Sequence, residues 1–80
     1  MNTFPLHILR INETVFDGEV SSLTAPGTAG ELTILANHET MLSSLQAGEL
    51  VIRAVDQADQ TIAIERGFLE ATTERVTVLL

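Results

Sequence analysis

His38 and Glu39 stand side by side, Glu31 lies a short way upstream, and Ser43 and Ser44 follow. Residues of these types could hold a metal, pass a proton or activate a nucleophile. A zinc-protease helix opens on His-Glu but needs a second His one helical turn later, so that both ligands share a face. Position 42 is Leu, and His7 is the only other histidine. Glu31 and Glu39 could form a carboxylate pair for acid–base work. Nothing in the sequence sets their separation or drives their acidities apart, so they read as solvated loop carboxylates or as protein contacts. A serine nucleophile paired with His38 has no surrounding motif. Gly27 and Gly30 could cradle a phosphate. That loop needs a different glycine spacing followed by Lys, and here Glu31 would repel the ligand. The two glycines read instead as residues that accept positive φ in a tight loop. No catalytic residue, metal site or cofactor is assigned.

Composition narrows the remaining chemistry. The chain has no cysteine, which removes disulfides and thiolate chemistry. It has no lysine, which removes a Schiff base and a phosphate-loop Lys; Arg10, Arg53, Arg66 and Arg75 are its basic residues. The net charge of −7 is the wrong sign for displacing counterions from nucleic acid or anionic lipid. It favours solubility and basic protein partners. No apolar run is long enough to span a membrane, and no basic-then-apolar leader opens the chain. With three Phe and no Trp or Tyr, the core must be built from Ile, Leu and Val.

The elements that position these residues read as strands. Residues 4–11 alternate, with Leu6 and Ile8 on one face and Leu9 and Ile11 on the other, and Pro5 near the start. Asn12-Glu13 is a polar turn. Asp17-Gly18 carries a hairpin signal, with a bulge as the near alternative. Val20 and Leu23 break strict parity, so a twist or bulge is expected between them. Residues 25–30 form a turn-rich loop, 31–35 a short strand and 36–40 a second polar loop. Residues 41–46 fit either a turn or two of helix or a short strand, because Met41, Leu42 and Leu45 have helical spacing within a run too short to decide. From Glu49 onward the alternation is clean, interrupted by turns at 56–59, at Arg66-Gly67 and at 72–74. Short strands with turns every eight to twelve residues argue an all-β sandwich or barrel. The sequence stops inside the apolar run Val78-Leu79-Leu80, which suggests a truncated chain or a naturally short form.

Taken in order, Phe16-Asp17-Gly18-Glu19-Val20, Ala25-Pro26-Gly27, Gly30-Glu31-Leu32-Thr33-Ile34-Leu35, Asn37-His38, Gly48-Glu49-Leu50, Arg66-Gly67-Phe68-Leu69-Glu70 and Val76-Thr77-Val78-Leu79 resemble the N-terminal domain of the epsilon subunit of bacterial-type F-type ATP synthases. The resemblance spans residues 1–80 as a single domain. It implies a flattened β-sandwich of two five-stranded sheets, with 41–46 extended. It also implies a non-catalytic place in the central stalk, or rotor, which helps couple ion translocation to ATP synthesis or hydrolysis. The gamma subunit and the membrane c ring are the implied partners. The implied location is the cytoplasmic face of the bacterial plasma membrane, peripheral, without insertion of its own. No small-molecule substrate or nucleic acid is implied.

By the same resemblance, Glu31 and His38 match positions that face the polar loops of the c ring. An acidic side chain and a histidine can pair with the Arg and polar groups that such loops display. Thr40, Met41, Leu42 and Ser43 are the expected gamma contacts, as a Met-Leu pair beside a polar loop makes a plausible interface core. Two departures stand out. Ala36-Asn37 replaces the family's Pro-Gly before the histidine, and Asn tolerates the positive φ that Gly supplies there. The two-helix domain with which typical members continue is absent from residues 1–80. The alternative reading is a free-standing sandwich that binds a small molecule, which would show a concave apolar pocket.

Overall fold

The computed structural model describes residues 2–55 and 57–80. Eight strands run in order: β1 (Phe4–Arg10), β2 (Glu13–Gly27), β3 (Gly30–Leu35), β4 (Met41–Leu45), β5 (Gly48–Ala54), β6 (Gln60–Ile64), β7 (Gly67–Ala71) and β8 (Val76–Leu79). There is no helix among the described residues. The even choice at 41–46 therefore resolves to strand: Met41 to Leu45 pair residue by residue with Ala71 to Gly67.

The long strand β2 belongs to two layers. Its first half pairs with β1, from Arg10↔Glu13 to Phe4↔Val20. Its second half pairs with β3 on one side, from Ser22↔Leu35 to Gly27↔Gly30, and with β5 on the other. The change of partner falls where parity breaks. Phe16 and Val20 point inward, then Ser22 and Leu23 are buried in succession, and Ala25 and Gly27 continue the new phase. The ladder with β5 shifts register between Val20 and Ser22, as expected from the spacing of Val20 and Leu23. A bulge of this kind lets a strand turn a corner between sheets. The layers are β4-β7-β8-β1-β2 and β3-β2-β5-β6, with β1 and β8 parallel. The first layer has the five strands the resemblance implies; the second has four.

The side chains between the layers are aliphatic. Leu6, Ile8, Val20, Leu23, Leu50, Ile52, Leu69, Val76 and Val78 are fully buried. Each contributes roughly 1.5–3 kcal/mol relative to exposure. The outward face of β1 is open, with Leu9 half-buried and Ile11 exposed.

Asp17-Gly18 is not a hairpin. It lies in the middle of β2, with Asp17 opposite His7 and Gly18 opposite Leu6. The chain reverses instead at Ile11-Asn12, where Asn12 takes the positive φ of 62°. The turn at 72–74 is confirmed: the Thr72 hydroxyl accepts from the amides of Glu74 and Arg75, both at 3.2 Å. Asp56, the first residue of the expected turn at 56–59, lies outside the described residues.

Candidate interaction site

Glu31 is exposed near the start of β3, beside the tight reversal at Thr28-Ala29. Gly27 makes that reversal possible. A Cβ there would sit 2.7 Å from the Gly30 carbonyl oxygen and 2.9 Å from the Leu32 Cδ2 methyl. The hairpin is clamped to the end of β4. The Thr28 amide donates to the Ser44 carbonyl at 3.0 Å, and the Gln46 amide donates to the Pro26 carbonyl at 2.9 Å. The Gln46 side-chain amide adds a bond to the Gly27 carbonyl at 3.2 Å. Glu31 therefore stands on a hairpin whose other strand is clamped to Ser44 and Gln46.

His38 lies beyond the other end of β3. From Glu31 to Leu35 the strand alone spans about 13 Å at the usual rise per residue. Asn37 adopts φ 68°, so the expected substitution for glycine holds geometrically. This carries His38 back onto the start of β1, where its ring and that of Phe4 pack edge to face with centroids 5.2 Å apart and planes at 81°. His38 is half-buried, and its Nδ1 is buried with no hydrogen-bond partner among the described residues. Glu31 and His38 are thus held apart by β3 rather than brought together.

The four remaining candidates form one strip. Thr40 leads into β4, Met41 and Ser43 are half-buried, and Leu42 is 64% exposed. The Ser43 hydroxyl donates to the Ser44 carbonyl at 3.1 Å. An open groove of about 390 Å³ runs between β3 and β4, lined among others by Ile34, Leu35, His38, Glu39 and Met41. His38 thus shares a groove with Thr40 and Met41, while Glu31 stands on the hairpin clamped to the other end of β4. Phe4 joins the site without having been picked out from the sequence, and Glu39, weighed there as half of a carboxylate pair, lines the groove. Phe4 is distant in the chain and gives no local signal; Glu39 stands next to the loop histidine and reads there as a solvated carboxylate. Glu31 and Glu39 are exposed, and the ion pairs among the described residues, His7–Asp17 and Arg53–Asp59 at 3.1 Å each, involve neither.

A small all-β sandwich whose candidate residues lie on strand edges and a loop is the class of protein these features define. The chain belongs to the ATP synthase delta/epsilon chain family, matching the family model of its beta-sandwich domain over residues 3–80.

Among curated relatives, it is 32% identical over its whole length to the ATP synthase epsilon chain of Sulfurovum sp. (strain NBC37-1), covering 62% of that protein. It is 34% identical to the epsilon chain of Moorella thermoacetica and 37% identical to that of Dehalococcoides mccartyi (strain CBDB1). In both cases 99% of this chain aligns, covering 59% and 56% of theirs. The chain thus spans less than two thirds of the length of these relatives.

Among solved structures, it superposes with a TM-score of 0.89 on a chain of the Euglena gracilis mitochondrial ATP synthase OSCP/F1/c-ring structure, at 23% identity over 99% of this chain and 51% of that one. It superposes at 0.78 on a chain of the Tetrahymena thermophila mitochondrial ATP synthase central stalk/c-ring structure. There the identity is 19%, over 95% of this chain and 61% of that one. At these identities the likeness establishes the shared fold.

Proposed function

We propose that residues 1–80 are one β-sandwich domain serving as a non-catalytic part of the central stalk of an F-type ATP synthase. In this reading the domain joins the gamma subunit to the c ring and helps couple ion translocation to ATP synthesis or hydrolysis. It works at the cytoplasmic face of the bacterial plasma membrane as a peripheral component of the complex. The observation that carries the reading is the match of nearly the whole chain to the delta/epsilon sandwich domain, together with relatives named as epsilon chains.

The physical requirement on such a part is modest. It must resist shear between two neighbours while doing no chemistry of its own. A sandwich with an aliphatic core and strands that cross between layers resists deformation, because close-packed interiors transmit strain. Exposed Glu31 offers a charge for the polar loops of the ring, and His38 offers a ring nitrogen. Thr40, Met41, Leu42 and Ser43 offer the face for gamma. No role of the two-helix domain with which typical members continue is assigned to these residues. Co-expression with the gamma subunit of the same complex, followed by size-exclusion chromatography, tests the reading. The two are expected to co-elute; separate elution at micromolar concentrations would overturn it.

A further inference from the structure

The two outer faces of the sandwich are not alike. On the layer β3-β2-β5-β6, Thr33, Thr24, Val51 and Thr61 run side by side across the four strands. The Thr24 and Thr33 hydroxyls meet at 3.2 Å, so that face presents mainly hydroxyl groups. The other outer face, on β4-β7-β8-β1-β2, is more apolar. Among the described residues, three of the five large apolar side chains left exposed lie on it: Leu42, Phe68 and Leu79. They alternate along their strands with inward residues such as Leu69 and Val78, as the period of two requires.

Register orders this face into rows. One row runs Ser44, Phe68, Leu79, Leu9 and Thr14 across all five strands. Phe68 is 40% exposed and Leu79 50%, and Leu9 is half-buried. The next row runs Leu42, Glu70, Thr77, His7 and Asp17. His7 is held there by Asp17, with Nδ1 at 3.1 Å from the carboxylate. Both rows are balanced about β8, the middle strand of the five. Leu79 on β8 has Phe68 on one flank and Leu9 on the other. Thr77 on β8 has Glu70 on one flank and His7 on the other. A two-fold interface makes a patch meet itself, residue i against j and j against i. An axis along β8 therefore sets Leu79 on Leu79, Phe68 on Leu9, Ser44 on Thr14 and Glu70 on His7. Apolar side chains meet apolar ones, and the acid meets the histidine.

We infer that the free chain self-associates through this face, as a two-fold dimer whose axis runs along β8. The inference does not draw on the central-stalk reading. Face-to-face packing of two sheets with nearly aligned strands is an ordinary sandwich contact. The size of the patch sets its strength. Five strands about 4.8 Å apart and two rows about 6.8 Å apart cover only roughly 300 Å². A stable complex of standard size buries about 800 Å² per partner. The charge of −7 on each copy opposes association as well. Arg75 lines an open groove with Glu70 and His7 and must turn toward Glu70 to leave the axis clear. Leu42 meets Asp17 only at the margin, where the carboxylate keeps its water. The dimer is therefore weak, half-formed at roughly 0.1–1 mM. Salt strengthens it, because screening the two net charges outweighs the weakening of one exposed acid–histidine pair.

Sedimentation equilibrium of the purified chain across that concentration range tests the inference. The wild type is expected to approach dimer mass, and to do so at lower concentration in high salt than in low salt. A residue on the axis meets its own copy, which gives the dimer a signature. Leu79→Glu and Leu79→Lys are each expected to weaken association by more than about tenfold, because like charges meet. Mixed in equal amounts, the two variants are expected to recover most of the wild-type association, since Glu then meets Lys. Thermal unfolding checks that each variant folds; the position is outward and half-exposed. A wild type that stays monomeric throughout the range overturns the inference. A dimer that Leu79→Glu leaves unchanged overturns it too, and places the contact elsewhere on the surface. If the wild type dimerises but the mixed variants stay monomeric, the axis along β8 is wrong and the inference falls. Should either variant fail to fold, Thr77→Glu with Thr77→Lys repeats the test, because Thr77 lies on the same axis.

Discussion

The His38 ring meets the Phe4 ring edge-on, at a centroid separation of 5.2 Å and an interplanar angle of 81°. The loop at 36–40 is therefore tied to the first residue of β1, and Phe4 itself is buried in the core. Edge-to-face pairing places the positive rim of one ring against the negative face of the other. A residue expected from the resemblance to be a contact point is thus also part of the packing that sets where the loop lies.

His38→Ala is expected to destabilise the domain by about 1 kcal/mol through loss of the aromatic pair. For a domain of this size that is a fall in Tm of about 4–8 °C. His38→Phe keeps the pair and removes the buried, unpartnered Nδ1, so it should restore most of the loss. Thermal unfolding of the three proteins checks this. A His38→Ala protein as stable as wild type would show that the ring contact carries no weight.

Much of this arrangement is legible in the sequence. The conflicting parity of Val20 and Leu23 already marks the corner at which β2 changes layers, because a period of two cannot bury both without an extra residue. Alternation at Leu50, Ile52, Val76 and Val78 likewise marks the inward faces. What is not legible depends on partners far away in the chain. Asp-Gly carries the same local signal whether it turns or runs straight, and the ladder with β1 holds Asp17-Gly18 extended. The five residues of β4 are too few for their spacing to separate helix from strand; pairing with β7 decides. The site divides in the same way. Residue types mark Glu31 and His38, but only the span of β3 shows that they do not share a place.

Gly27→Ala and Gly18→Ala are expected to act in opposite directions. At Gly27 the added methyl meets a backbone oxygen at 2.7 Å, and relief requires opening the hairpin; a cost of about 1–3 kcal/mol follows from overpacking of this kind. At Gly18 the methyl meets only the Phe16 ring, at 3.6 Å, and the backbone is ordinary strand. There the substitution should stabilise by roughly 0.4–1 kcal/mol by restricting the unfolded chain. Chemical denaturation separates the two. Equal damage at both positions would mean that Asp17-Gly18 forms the turn its composition suggests.

Glu31→Gln should leave stability within about 0.5 kcal/mol of wild type, since the side chain is exposed and makes no ion pair. If Glu31 faces the c ring, the same change should slow association of the chain–gamma complex with detergent-solubilised ring and flatten its dependence on salt. Rim charges act mainly on encounter and are screened beyond about 10 Å at 0.1 M salt. Association rates that match wild type at both low and high salt would remove Glu31 from the contact.

The separation of Glu31 from His38 makes a sharper demand on the same assembly. Residues more than about 7–10 Å apart that share no partner have additive effects, within roughly 0.3–0.5 kcal/mol. The strand between them spans about 13 Å from Glu31 to Leu35 alone. A double-mutant cycle with Glu31→Gln and His38→Phe, read as binding of the chain–gamma complex to the ring, should therefore close without a coupling term. His38→Phe is the suitable partner because it keeps the contact with Phe4 and so leaves the loop in place. A coupling energy above about 1 kcal/mol would mean that both side chains engage one group on the ring. That result would require the β3 hairpin and the 36–40 loop to close toward each other on binding, against the clamps that fix the hairpin to Ser44 and Gln46.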